Sequence, residues 1–275
     1  MAVKEITSLQ HPIVKHLVKL RTSSAYRKEQ RSVLVAGNNG VRELAEMGLV
    51  KTLFSSDSVD ALPIAPALRE PFDPAQDKPQ DGAQGRHYKV TPEIMKKISG
   101  VVSPGSLAAE CILPDSVDLS QKQLVLVLDG VSDPGNLGTL LRTALSFGWD
   151  GAFILPSSCD PYNEKALRAA KGATFRLPLQ FGTVDDLKKM RSYHVYVADP
   201  KGEATSSFES PSTRLRTSLR TAFQKPMLLV LGNEAHGVSI EVRALGEPVA
   251  IPMKGDMESL NVAVAGGVLL YLGTL

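Results

Sequence analysis

Leu124-Val125-Leu126-Val127-Leu128 is an unbroken apolar run that passes directly into Asp129-Gly130-Val131-Ser132-Asp133-Pro134-Gly135-Asn136. A strand apolar at every residue, rather than at every second one, is covered on both faces, the pattern of a parallel sheet flanked by helices. The helix that must follow is visible. Leu137, Leu140, Leu141, Ala144 and Leu145 fall at i, i+3, i+4, i+7 and i+8, and Gly148 stops the run. Strand-like runs recur at 151–155, 176–181, 195–198, 227–232 and 248–252. Strands alternating with helical segments predict a mostly parallel α/β sheet.

The front of the chain reads differently. Ile13, Val14, Leu17 and Leu20 share one face of a short helix, Val33-Leu34-Val35 is a short strand, and Val41, Leu44, Ala45 and Leu49 suggest a helix ending near Gly48. Thr52-Leu53-Phe54 follows as a strand, and Thr91 caps a helix whose first position is Pro92. Between them, 61–86 contains Pro63, Pro66, Pro71, Pro74 and Pro79 among polar residues, and is expected to be a mobile insertion. The polar stretch 114–122 is expected to connect two domains, 1–113 and 123–275.

Charge separates the same halves. Residues 1–105 carry 15 Lys and Arg against 11 Asp and Glu, whereas 106–275 carry 16 against 18. Lys15, Lys19, Arg21, Arg27, Lys28 and Arg31 crowd the first 31 positions, and such a front end suits contact with nucleic acid or is simply a solvated helical face. Two cysteines and five scattered histidines provide neither a disulfide framework nor ligand spacing, so no metal is expected. The longest nearly apolar run, 262–273, is too short to span a bilayer, and with no signal segment visible a cytoplasmic protein is expected.

Ligands of an open α/β sheet collect at the carboxyl ends of its strands. Three such ends are rich in glycine and small polar residues: 129–138, 231–237 and 252–261. None contains GxGxxG, GxxxxGK[ST] or GxSxG, which argues against a dinucleotide fold, a phosphate loop and a nucleophile elbow. What they hold is Asn136, Glu234, Ser259 and Asn261, with Arg142 on the first helix beyond. Singly, each has a plainer explanation: Asn136 and Ser259 can cap helices, Glu234 can favour a helix N-terminus, and Arg142 can be a surface residue.

Taken together, LDGVSDPGNLGTLLRTA (128–144), LVLGNEAHGVS (229–239) and IPMKGDMESLNVAVAGGVLLY (251–271) resemble the three ordered motifs of SpoU-type (TrmH-like) RNA ribose 2′-O-methyltransferases of the SPOUT superfamily, with KGATFRLPL (171–179) as a supporting match. ITSLQHPIVKHLVKL (6–20) and the segment 91–100 resemble the family's N-terminal domain. One departure is Ala36, which stands where the family usually has an acid.

The resemblance implies a C-terminal trefoil-knotted, mostly parallel α/β domain behind a smaller N-terminal α/β domain that binds RNA. It implies S-adenosyl-L-methionine as cofactor, held by Leu231, Gly232, Ile251, Met253, Ser259 and Leu260. It further implies a homodimer, with Arg142 positioning the RNA and helping to activate the ribose hydroxyl, and Asn136, Glu234, Ser259 and Asn261 orienting the nucleophile and loops. Structured RNA, ribosomal before transfer RNA, is the expected substrate. A non-catalytic RNA-binding or ribosome-assembly protein on the same fold is the alternative, against which the intact polar set argues.

Overall fold

The computed structural model describes residues 4–57, 86–199, 223–253 and 259–275. The chain divides into two units, Met1–Pro114 with Tyr162–Glu164, and Asp115–Pro161 with Lys165–Leu275. The stretch read as an insertion, 61–86, lies outside the described residues except for Arg86.

The first unit is built on a five-stranded mixed sheet. Its strands are β1 (Lys4–Ile6), β2 (Ser32–Ala36), β3 (Val50–Ser55), β4 (Arg86–Val90) and β5 (Leu107–Ile112), in the order β1-β4-β3-β5-β2. β4 runs parallel to both neighbours, and β5 is antiparallel to β3 and β2. Helix α1 (Pro12–Thr22) buries Ile13, Val14, Leu17 and Leu20, the apolar face legible in the sequence. Helices α2 (Ser24–Gln30), α3 (Asn38–Glu46) and α4 (Pro92–Ser99) complete it. Thr91 caps α4 by accepting the Ile94 N–H, with Pro92 in the first turn. The departing residue Ala36 ends β2, paired with Ala108.

The second unit holds a six-stranded, wholly parallel sheet. Its strands are β6 (Leu124–Asp129), β7 (Gly151–Ile154), β8 (Leu179–Phe181), β9 (His194–Ala198), β10 (Met227–Gly232) and β11 (Glu247–Val249), in the order β11-β9-β10-β6-β7-β8. Every residue of β6 is buried, as expected of a central strand covered on both faces. Helices α5 (Pro134–Ser146), α6 (Glu164–Ala170), α7 (Ala173–Arg176), α8 (Val184–Lys188), α9 (Ile240–Arg243) and α10 (Val262–Thr274) complete the unit.

Two readings are corrected. The strand expected over 176–181 begins only at Leu179, because Arg176 ends α7 and Pro178 forces Leu177 into extended backbone. The stretch 114–122 is more than a connection, since Leu119 is fully buried in the core of the second unit with Val125, Phe153 and Tyr193. The last helix buries Gly266, Leu269, Leu270 and Gly273, and leaves Val264 and Val268 exposed.

Two glycines let α10 lie close. A β-carbon at Gly266 would strike the Leu140 side chain and come within 2.6 Å of Leu231 Cδ1. One at Gly273 would meet Trp149 Cζ2 at 2.9 Å. Trp149 also donates from Nε1 to the Leu270 carbonyl at 3.0 Å, which pins the helix to the sheet unit. Elsewhere among the described residues two non-glycine residues, Arg31 and Lys171, adopt positive φ of 45° and 48°. A residue with a β-carbon pays roughly 1–2 kcal/mol for that conformation. Among the described residues, no helix is long and apolar enough to cross a membrane.

Candidate active site

β6 and β10 are neighbours in register, so Gly232 lies beside Asp129 and the two glycine-bearing loops leave the sheet side by side. Gly130 turns the chain with φ of 81°, and Asp133 then caps α5 by accepting the Asn136 N–H at 2.9 Å. After β10, Asn233 and Gly237 close a tight turn with two reciprocal backbone hydrogen bonds of 2.9 Å. Asn233 Oδ1 accepts the Ala235 and His236 N–H groups, and its Nδ2 donates to the Gly130 carbonyl at 2.8 Å. Buried Asp129 adds a second tie between the loops, accepting the Ser239 N–H at 2.7 Å and the Ser157 hydroxyl at 3.2 Å.

The turn presents Glu234 to the N-terminus of α5. Its Oε2 accepts the Ser132 N–H at 3.0 Å and the Ser132 hydroxyl at 2.8 Å. Its Oε1 accepts the Asp133 N–H at 3.1 Å and Asn136 Nδ2 at 3.0 Å. Burial works to raise the carboxyl pKa, but the hydrogen bonds from Asn136 and Ser132 outweigh it and hold Glu234 down at about 2. The group is an ionised acceptor at any working pH.

That charge sets the polarity of everything attached to it. Asn136 must aim its amide nitrogen at Glu234, which leaves its Oδ1 to accept from Asn261 Nδ2 at 3.2 Å. Asn261 in turn has only Oδ1 left, and with it caps α10 by accepting the Ala263 and Val264 N–H groups at 2.9 and 3.3 Å. One directed chain thus joins all three loops, linking residues 125 apart in sequence. Asn136, Glu234 and Asn261 are brought together, as the motifs implied.

Ser259 and Arg142 stand apart from it. Ser259 is exposed and is not the cap of α10, a role Asn261 takes. Arg142 is exposed on α5, on a different side of the helix from Asn136, and its guanidinium has no hydrogen-bond or ion-pair partner among the described residues. Of the expected cofactor contacts, Leu231 and Gly232 are buried at the end of β10, Ile251 and Met253 are half-buried, and Leu260 is 41% exposed. Asn233, Ser132 and Asp129 were not singled out from the sequence. An Asn and a Gly four residues apart just after a strand are the visible trace of the first.

In the first unit Lys15, Lys19, Lys28 and Arg31 are exposed, with Lys19 5.5 Å above the Tyr26 ring. Arg21 is half-buried, its guanidinium lying across Gly100, where any β-carbon would collide with it. Arg27 is a correction: it is 3% exposed and donates to the Leu20 and Arg21 carbonyls at 2.6 and 3.0 Å. It closes the end of α1 rather than facing a ligand. No group of three or more His, Cys, Asp or Glu able to hold a metal occurs among the described residues.

Residues 123–271 match the family model described as the SpoU rRNA methylase family. The chain is 30% identical to an uncharacterised tRNA/rRNA methyltransferase of Synechocystis over 98% of its own length and 93% of that protein. It is 29% identical to the 23S rRNA guanosine 2′-O-methyltransferase RlmP of Bacillus subtilis, over 98% of each chain. Among solved structures it is similar to an rRNA methyltransferase of Sinorhizobium meliloti bound to S-adenosylmethionine. There the TM-score is 0.78 and identity 27%, covering 98% of this chain and 97% of the other.

Proposed function

The chain belongs to the SpoU rRNA methylase family, and from that premise we propose that it methylates a ribose 2′-hydroxyl of ribosomal RNA, with S-adenosylmethionine as methyl donor. The observation that carries this reading is the division within the site. Asn136, Glu234 and Asn261 are engaged with one another, with Ser132 and with backbone, while Arg142 stands exposed with no partner among the described residues.

The residues present fit the cofactor. Ile251, Met253 and Leu260 offer partly exposed apolar side chains on the loop that leads to α10, and Leu231 and Gly232 end β10, the kind of surface an adenine ring and its ribose require. Bound there, S-adenosylmethionine supplies an electrophilic methyl group on a positively charged sulfur.

The chain's own residues position and charge the nucleophile. A guanidinium is a cation with five donors and no acceptor, so Arg142 acts on phosphate and on the developing oxyanion rather than as a base. Glu234, held at about 2 and saturated with donors, is too weak a base to take the hydroxyl proton. That proton leaves to an RNA phosphate oxygen or to water. Ser259, exposed beside Leu260, is the hydroxyl left to orient the ribose.

Lys15, Lys19, Lys28 and Arg31 of the first unit grip RNA phosphates. The protein works in the cytoplasm as a homodimer. Supporting the dimer is a stripe along α10, where Val264 is 55% and Tyr271 51% exposed, with Val268 between them. The family's trefoil knot belongs to the same proposal, supported by α10 packing on α5 and β10 after the chain has left the sheet edge at β11.

The test is transfer of labelled methyl from S-adenosylmethionine to purified ribosomal and transfer RNA, with ribose methylation mapped in the product. Label on a 2′-oxygen of ribosomal RNA is expected. Label confined to transfer RNA would overturn the substrate, and no transfer to either RNA would overturn the activity.

A further inference from the structure

Lys171 is held in a left-handed backbone conformation that glycine adopts freely, and it is followed by Gly172, which is left-handed too. Its N–H closes α6 by donating to the Leu167 carbonyl at 3.2 Å, a task glycine or asparagine would perform without strain. The side chain is exposed and has no carboxylate partner among the described residues. Other lysines of the same unit are compensated: Lys165 by Asp133, Lys188 by Asp185 and Glu241, and Lys189 by Asp186. A strained backbone under an uncompensated charge points to a use for the side chain.

Its place on the unit says what that use is. The Lys165 side chain lies against α5 at Gly135, its Cε 3.4 Å from where a β-carbon would stand. At Gly138 a β-carbon would strike the Ala166 carbonyl and lie 2.9 Å from Ala169 Cβ and 3.0 Å from Ala170 N. The two helices therefore advance together, and Lys171 is the residue after Ala170. Arg142 stands one turn beyond Gly138 on the same flank of α5, and α7, which follows Lys171, also packs on α5. Two exposed cations on one flank of α5, neither with an ion-pair partner among the described residues, suit consecutive phosphates of an RNA backbone.

We propose that Lys171 is a phosphate contact for the RNA substrate, working beside Arg142 in the second unit, and that the strained backbone is retained to hold it there. This rests on the RNA-methyltransferase reading. Measured with the full chain and protein-free ribosomal RNA, Lys171→Gly is expected to melt no lower than the parent, because its backbone strain is relieved. It should nevertheless bind RNA roughly fivefold more weakly, with the salt slope of log Kd reduced by about one. The KM for RNA rises in step and kcat holds. Lys171→Asn, also at ease in this conformation, behaves like the glycine variant, and Lys171→Arg keeps affinity and slope.

Unchanged RNA affinity and slope in Lys171→Gly would overturn the proposal, as would equal weakening in Lys171→Arg. Should the parent bind RNA without methylating it, the reading of function falls instead, and the binding slopes still decide the role of Lys171.

Discussion

Asn261 donates from Nδ2 to Asn136 at 3.2 Å while its Oδ1 caps α10, so one side chain both starts the last helix and braces the site. Asn261→Asp separates the two duties. It keeps the cap oxygen, and its charge suits a helix N-terminus, but it sets a carboxylate against Asn136 Oδ1. The melting temperature should stay within about 2 °C of the parent while single-turnover methyl transfer falls roughly tenfold or more. Asn261→Ala loses the cap as well, costing about 1 kcal/mol in denaturant titrations. Full activity in the Asp variant would remove the bond from the mechanism.

Glu234 governs pH behaviour in a definite direction. Its folded pKa, about 2, lies below the ordinary 4.5. The stability it contributes is therefore fully present above the ordinary carboxylate range and is lost as pH falls through about 2. Between roughly pH 5 and 9 it should put no limb on a rate profile. Glu234→Gln turns an amide donor toward groups that already donate. The expected result is a loss of about 10- to 100-fold at every pH, with the profile unshifted. An acid limb that disappears in the Gln variant would make Glu234 a proton acceptor.

Because Arg142 has no partner among the described residues, its removal should cost little structure. Arg142→Ala should melt within about 1 °C of the parent and bind S-adenosylmethionine within about twofold, yet lose methyl transfer. Calorimetry together with the methylation assay checks this. Collapse of cofactor affinity in a folded variant would refute the division of labour.

Arg27 and Lys28 are adjacent in sequence and should behave oppositely. Arg27→Ala strips two carbonyls of their donor and is expected to cost about 2–3 kcal/mol, with RNA affinity intact while the protein stays folded. Lys28→Ala should leave the melting curve in place and weaken RNA binding in a salt-dependent way. Equal RNA affinity of parent and Lys28→Ala would take α2 out of the RNA surface.

Val264→Asp and Tyr271→Asp place charge on the exposed stripe of α10 without touching its buried face. Sedimentation at micromolar concentration should show the parent as a dimer and both variants as folded monomers. A monomeric parent would dispose of the dimer.

Much of this was visible in the residues themselves. The apolar run of β6 and the 3.6-residue spacing of α5 announced a parallel sheet, because burial on both faces leaves no polar position. Strands β1 and β5 were missed: the three residues of β1 at the sheet edge give too little alternation to read, and β5 mixes Ala and Glu110 with its apolar residues. The motifs located the site, but not its direction of donation. That direction follows from one ionised group, Glu234, and from which atoms each amide has left, and neither can be seen until the loops meet. Charge misled at Arg27, since a count of basic residues does not distinguish one that faces water from one that closes a helix.

The bonds that shut the site join residues far apart in the chain, Ser132 to Glu234 and Asn136 to Asn261. Closing loops of that length is slow and entropically costly, and here it is also late. During synthesis a chain that has reached Val249 already contains all eleven described strands, yet α5 still faces no Asn261 and Asn136 has an open acceptor. Only when α10 has emerged and laid Gly266 on Leu140 is the ring of donors complete. Nascent chains are thus barred from chemistry until the whole sheet unit exists, and a truncation that spares every strand would still be inert.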